Sequence, residues 1–148
     1  MTKTLSSLAP LAGALLLLGC SELDNCPEGQ DPIPFEGGRT NTPSLLYESS
    51  AWDQERQAFP AKTCVRFVHG LGTTPELVQS YVSFERTGSD VSENAGNQGR
   101  IECVDDTEIV IRNDTCEEQL FIRVVAHASG SATSEKACDP LVAELCKN

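Results

Sequence analysis

The sequence predicts a mainly β protein: an antiparallel Ig-like β-sandwich held by disulfides, with a short C-terminal helix. Three observations lead there. β-Branched runs with two-residue alternation recur along the chain, turn residues separate them, and six cysteines follow residue 20. Short strands with such regular punctuation argue for a sandwich rather than for strands alternating with helices.

Residues 1–19 read as an export signal, with Lys3 in a polar head, an apolar run from Leu5 to Leu18 and a small residue, Gly19, at the exit. The run is too short for a comfortable membrane-spanning helix. Residues 20–43 carry Pro27, Pro32, Pro34, Gly37, Gly38 and Pro43 without helix or strand periodicity, which predicts a tether and an irregular lead-in. Residues 44–148 then form one domain.

Within it, residues 44–52 suit a first strand. Residues 63–71 alternate, with Val65, Phe67 and His69 on one face and Cys64, Arg66 and Val68 on the other. In residues 77–85 the set Val78, Ser80, Val82 and Phe84 shares a face. Residues 100–104 and 108–112 are short β-branched runs, and residues 119–127 turn Leu120, Ile122, Val124 and Ala126 one way. The turns between them are Gly70-Leu71-Gly72, Gly88-Ser89-Asp90, Asn94-Ala95-Gly96-Asn97 and Asn113-Asp114. Near the end, Asp139 can cap a helix that has Pro140 at its first position and Leu141, Val142 and Leu145 as its apolar face.

The whole chain has 11 basic and 22 acidic side chains, a net charge of −11. Residues 1–19 hold Lys3 and no acid, so the remaining 129 residues carry −12. That balance opposes nucleic-acid binding, which needs Lys and Arg on phosphates. It equally opposes adsorption to an anionic membrane by charge.

Leu17-Leu18-Gly19-Cys20 resembles the lipobox of bacterial lipoproteins. The resemblance implies cleavage before Cys20, a diacylglycerol thioether on its sulfur and a further acyl chain, such as palmitate, on its new amino group. With Ser21 next, it implies sorting to the outer membrane, facing the periplasm or the cell surface. Small lipoproteins of this style serve in gliding-motility and adhesion assemblies. The expectation is therefore a non-enzymatic interaction or structural subunit of a surface complex, held to the membrane through lipid on Cys20 and docked to an envelope protein partner. The alternative is a module that binds sugar or a divalent cation. No cofactor is expected.

With Cys20 lipidated, Cys26, Cys64, Cys103, Cys116, Cys138 and Cys146 remain, an even set that predicts three disulfides in an exported chain. No Cys-x-x-Cys or Cys–His cluster points to zinc or thiol-redox chemistry. A reversal between two strand-like runs favours Cys103–Cys116. A helix over residues 139–146 would hold Cys138 and Cys146 about 12 Å apart, beyond the roughly 7 Å a bridge allows. They would then pair elsewhere. If Cys26 is bridged to the domain, five residues separate it from the anchor, and the body stands only about 20 Å from the lipid.

The stretch Cys64-Val65-Arg66-Phe67-Val68-His69, followed by Pro75, Tyr81 and Val82, is similar to Ig-like extracellular bacterial domains of the uncharacterised DUF4397 type. About twenty residues carry the likeness. It departs at Val78-Gln79-Ser80-Tyr81, where that family has Asp-Val-Tyr, and it implies a sandwich without an activity.

Phe67-Val68-His69-Gly70-Leu71-Gly72 resembles the His-Gly oxyanion loop of α/β-hydrolases, but no Gly-x-Ser-x-Gly elbow accompanies it. His69 and His127 then read as hydrogen-bonded, partly buried side chains, and no catalytic residues are expected. Asp105, Asp106 and Glu108 are weak metal candidates. They would need to converge with Asp114, Glu117 and Glu118 to offer Ca²⁺ its six to eight oxygens. Trp52, Tyr47 and Tyr81 are the conspicuous aromatics. Each could cover the end of a β core, and an exposed Trp could instead stack on sugar or anchor a partner.

Overall fold

The computed structural model describes residues 31–87, 90–130, 137–138 and 146. Among these, ten strands form two packed sheets, a β-sandwich. The strands are β1 (Ile33–Phe35), β2 (Arg39–Asn41), β3 (Leu46–Glu48), β4 (Gln57–Ala58), β5 (Cys64–Val68), β6 (Leu77–Ser83), β7 (Ser92–Glu93), β8 (Arg100–Val104), β9 (Glu108–Arg112) and β10 (Phe121–His127). One sheet has the order β1-β5-β9-β8, and the other has β2-β3-β10-β6-β7, with β4 also on β10.

The core lies between the sheets, as the alternation predicts. Val65 and Phe67 of β5 and Ile109 and Ile111 of β9 face Val82 of β6 and Ile122, Val124 and Ala126 of β10. Fully burying a side chain of the Val, Ile or Phe class contributes about 1.5–3 kcal/mol, so these positions dominate the stability. Shifting a strand by one residue would turn its apolar set outward, which fixes the register.

β10 organises the larger sheet. Along one edge it pairs with β6 over seven residues, from Phe121↔Ser83 to His127↔Leu77. Along the other edge it takes two partners in turn: β3 beside residues 125–127 and β4 beside residues 121–122. Between them the chain stays tied to β10 through Ser49, whose N–H donates to the Val124 carbonyl (2.9 Å). The Ser49 hydroxyl accepts from the Val124 N–H (2.8 Å). Residues 50–56 then make an excursion over the outer face of β10.

Several expectations need correction. β1 pairs parallel to β5, so the sandwich is not wholly antiparallel. β1 and β2 lie in the stretch expected to be an irregular lead-in, so the sandwich begins by Ile33, ahead of the boundary placed at residue 44. Three-residue strands are too short to show a period, and Pro34 is tolerated because β1 is an edge strand. The first expected strand, residues 44–52, shrinks to β3, and the two-residue strands β4 and β7 have no sequence signal. Phe84 does not share the face of Val82. β6 ends at Ser83, where the Ser83 hydroxyl bonds the Asp90 carboxylate (2.6 Å), and Phe84 is left 62% exposed. The C-terminal helix lies outside the described residues.

The disulfides are Cys64–Cys146 and Cys103–Cys138, each with 5.7 Å between Cα atoms. The expected Cys103–Cys116 bridge is therefore not formed, although Cys116 is itself disulfide-bonded. Cys103 and Cys116 sit at opposite ends of the β8–β9 hairpin, because β9 and the turn before it intervene. Cys138 and Cys146 pair elsewhere rather than with each other, as expected. Both bridges end on the outer face of the smaller sheet, where the four cysteines bury Val110 in a second, smaller core.

Candidate functional site

The outer face of β10 presents Phe121, Arg123, Val125 and His127, and the excursion between β3 and β4 covers the second of these. Arg123 is 1% exposed although it points away from the core. Its Nε donates to the Ser50 carbonyl (2.8 Å) and its Nη2 to Glu48 Oε1 (2.6 Å). The guanidinium carbon lies 3.9 Å from the centre of the Trp52 ring, and Tyr81 meets Trp52 edge-on at 5.0 Å. Burial pulls the Arg123 pKa below its usual value, with Glu48 pulling the other way. Its Nη1 is buried with no hydrogen-bond partner.

Trp52 remains 53% exposed on this support. It does not cover the end of the core, and neither does Tyr81. Tyr47 does belong to the core, with its hydroxyl on the Gly37 carbonyl (3.1 Å) and its pKa raised by burial.

Beside this cluster is a cavity of about 340 Å³ between Gly38 and Arg39 on one side and Glu48, Ser50, Ala51 and Gln54 on the other. Gly38 is required there. Its φ is +101°, and a Cβ would come within 2.7 Å of the Glu48 carbonyl oxygen. The Ser50 hydroxyl is buried with no hydrogen-bond partner.

The acidic candidates occupy a different place. Asp105 is 3% exposed and its carboxylate closes the β8–β9 turn. Oδ1 accepts from the Thr107 N–H (2.8 Å), the Thr107 hydroxyl (2.7 Å) and the Glu108 N–H (2.8 Å), and Oδ2 accepts from the Cys138 N–H (2.7 Å). Burial pushes its pKa up, but these hydrogen bonds outweigh that and hold it below 3.8. Glu108 is buried and ion-paired with Arg66 (2.7 Å), while Asp106 is exposed.

The convergence with Asp114, Glu117 and Glu118 that a Ca²⁺ site would need does not occur. Those residues follow the far end of β9, and Asp114 is held by Arg100 (3.0 Å) and Arg112 (3.1 Å). Asp105 and Glu108 instead lie near Cys138, whose sulfur is in the bridge to Cys103 and is no thiolate ligand. Three donors, one of them spent on a disulfide, do not fit a Ca²⁺ site.

His69 is fully buried. Its Nδ1 accepts from the Leu71 N–H (3.2 Å), so the proton sits on Nε2, which donates to the Asp105 carbonyl (3.1 Å). The Gly-flanked turn after β5 thus folds back onto its own histidine, with Gly70 and Gly72 at φ of 61° and 69°. His127 is exposed rather than partly buried, because β10 runs out of covering structure at that end. Cys20 and Cys26 lie outside the described residues.

Sequence reading singled out Trp52 but missed Arg123 and Glu48 as its support. The one available signal was Arg123 itself, a charge in an otherwise apolar run. No family model, no curated protein and no solved structure matches this chain. No helix among the described residues is long and apolar enough to cross a membrane.

Proposed function

We propose that this protein is a lipid-anchored bacterial envelope protein, fixed to the outer membrane through Cys20. It acts as a non-enzymatic interaction or structural subunit of a surface complex, with motility or adhesion as the setting. The working surface is the outer face of the larger sheet. One observation carries that assignment: Trp52 stands half-exposed on a buried Arg123, with Tyr81 against it. Trp, Tyr and Arg are the residues that concentrate binding energy at interfaces, and a ring already held in place loses little freedom on binding.

The surroundings of His69 support the non-enzymatic reading. Both of its ring nitrogens are engaged by backbone groups, which leaves neither free to activate a nucleophile.

Two measurements test the reading. A radiolabelled acyl tracer should enter the wild-type protein and not C20A, and the label should fractionate with outer membrane. A photo-crosslinking residue at Gln79, on the same face as Tyr81, should give a discrete adduct in intact cells. The same residue at Val68, on the smaller sheet, should give none. An unlabelled wild-type protein would remove the anchor, and equal adducts at both positions would remove the surface.

A further inference from the structure

We infer that the cavity beside Trp52 binds a neutral pyranose residue of an envelope or extracellular glycan. This rests on the reading that the outer face of the larger sheet is the working surface, and it supplies the ligand class. At about 340 Å³ the cavity is of small-ligand size. Its lining residues bring both donors and acceptors, from Arg39, Glu48 and Gln54. A sugar hydroxyl is both donor and acceptor, so a row of hydroxyls suits such a mixture.

The Ser50 hydroxyl, buried and without a partner on the same wall, is a further group that a polyol can satisfy. A serine hydroxyl has three staggered positions, so it can turn to a ligand without moving the backbone.

Trp52 is not itself part of the cavity wall; it follows Ala51 in the chain and supplies the apolar contact to a sugar that extends past that residue. Ala51 lines the cavity, and Arg123 ties the Trp52 ring to Ser50 and Glu48 of its wall. The face of a pyranose ring presents C–H groups of partial positive charge, and an indole face is negative, so the two attract. Arg123 lies over one face of the ring and leaves Trp52 half-exposed, so the ring is an already oriented platform. The net charge of −12 on residues 20–148 disfavours polyanionic glycans.

The test uses the full lipidated chain in micelles of a detergent without a sugar headgroup. Isothermal titration calorimetry is run against dextran, mannan, galactan, chitin oligosaccharides and polygalacturonate. Binding to at least one neutral glycan is expected. W52A and E48Q should each weaken it by about tenfold or more, W52F should retain part of it, and F84A should leave it unchanged. Melting temperatures within a few degrees of wild type identify the variants that report on binding.

Silence on every neutral glycan overturns the inference, as does binding that W52A and E48Q leave intact. Binding to polygalacturonate alone overturns the neutral assignment. A protein adduct at Gln79 together with calorimetric silence would sink the sugar while sparing the interaction reading. Loss of acylation would sink the anchor while sparing the sugar.

Discussion

The central carbon of the Arg123 guanidinium lies 3.9 Å from the centre of the Trp52 ring, and the same guanidinium is bonded to Glu48 (2.6 Å). One side chain thus links a solvent-facing aromatic to β3 and β10. R123L should therefore lower stability by about 2–4 kcal/mol in urea unfolding, somewhat less than the roughly 3–5 kcal/mol for breaking a fully buried pair, because the Glu48 side chain is 35% exposed. R123K keeps the charge but loses the planar fork, and should fall between wild type and R123L. In both variants the emission of Trp52, the only tryptophan in the chain, should shift as its support is lost.

Asp105 should govern acid sensitivity. Its folded-state pKa is depressed, so the stability it contributes is present above pH 3.8 and is lost as pH falls through the folded value. D105N should cost about 2–4 kcal/mol at pH 7, since it disrupts a carboxylate with four donors. The variant should also show a shallower loss of stability between pH 4 and pH 2. An unchanged acid slope would count against this role.

His69 adds a second window at higher pH. Burial depresses its pKa below 6.5, with Asp105, Asp106 and Glu108 pulling it partly back. The neutral form is favoured in the fold, so its contribution is present above pH 6.5 and declines as the pH drops below that value. Imidazole NMR shifts should give a midpoint for His69 below 6.5. H69Q should flatten the stability profile between pH 7 and pH 5.

The two bridges should differ in worth. Cys64–Cys146 spans 82 residues and Cys103–Cys138 spans 35. Chain entropy assigns them about 4.5 and about 3.8 kcal/mol, with strain free to reduce either. C64A/C146A should therefore be less stable than C103A/C138A, with the ranking read from denaturation midpoints.

Peptide mapping under non-reducing conditions should find Cys26 joined to Cys116. Cys116 is disulfide-bonded, and the other described cysteines are paired with one another. Lipid on Cys20 would leave Cys26 as its partner. A Cys20–Cys116 peptide would refute the thioether directly.

The sandwich was legible where strands are long enough to alternate. Val65 and Phe67, and Ile122, Val124 and Ala126, announce their inward face by period alone. β1, β2, β4 and β7 did not, because two or three residues carry no period and their pairing is set by tertiary neighbours. The candidate site was half legible. Trp52 stands out by type, but its partners Glu48 and Arg123 are 75 residues apart, and only the pairing of β3 with β10 brings them together. The weak acidic candidates failed to converge for the related reason that residues 109–112 of β9 lie between Glu108 and Asp114 and carry the two groups to opposite ends of the strand.

The Cys64–Cys146 bridge also bears on survival under proteolysis. The Gly-rich turn after β5 and the turn at residues 94–99 both fall between its two ends, so a cut in either opens the backbone without freeing a fragment. A clipped molecule would still run as one band on a non-reducing gel and separate only after reduction. A single nick in either surface turn thus leaves both pieces joined through the bridge.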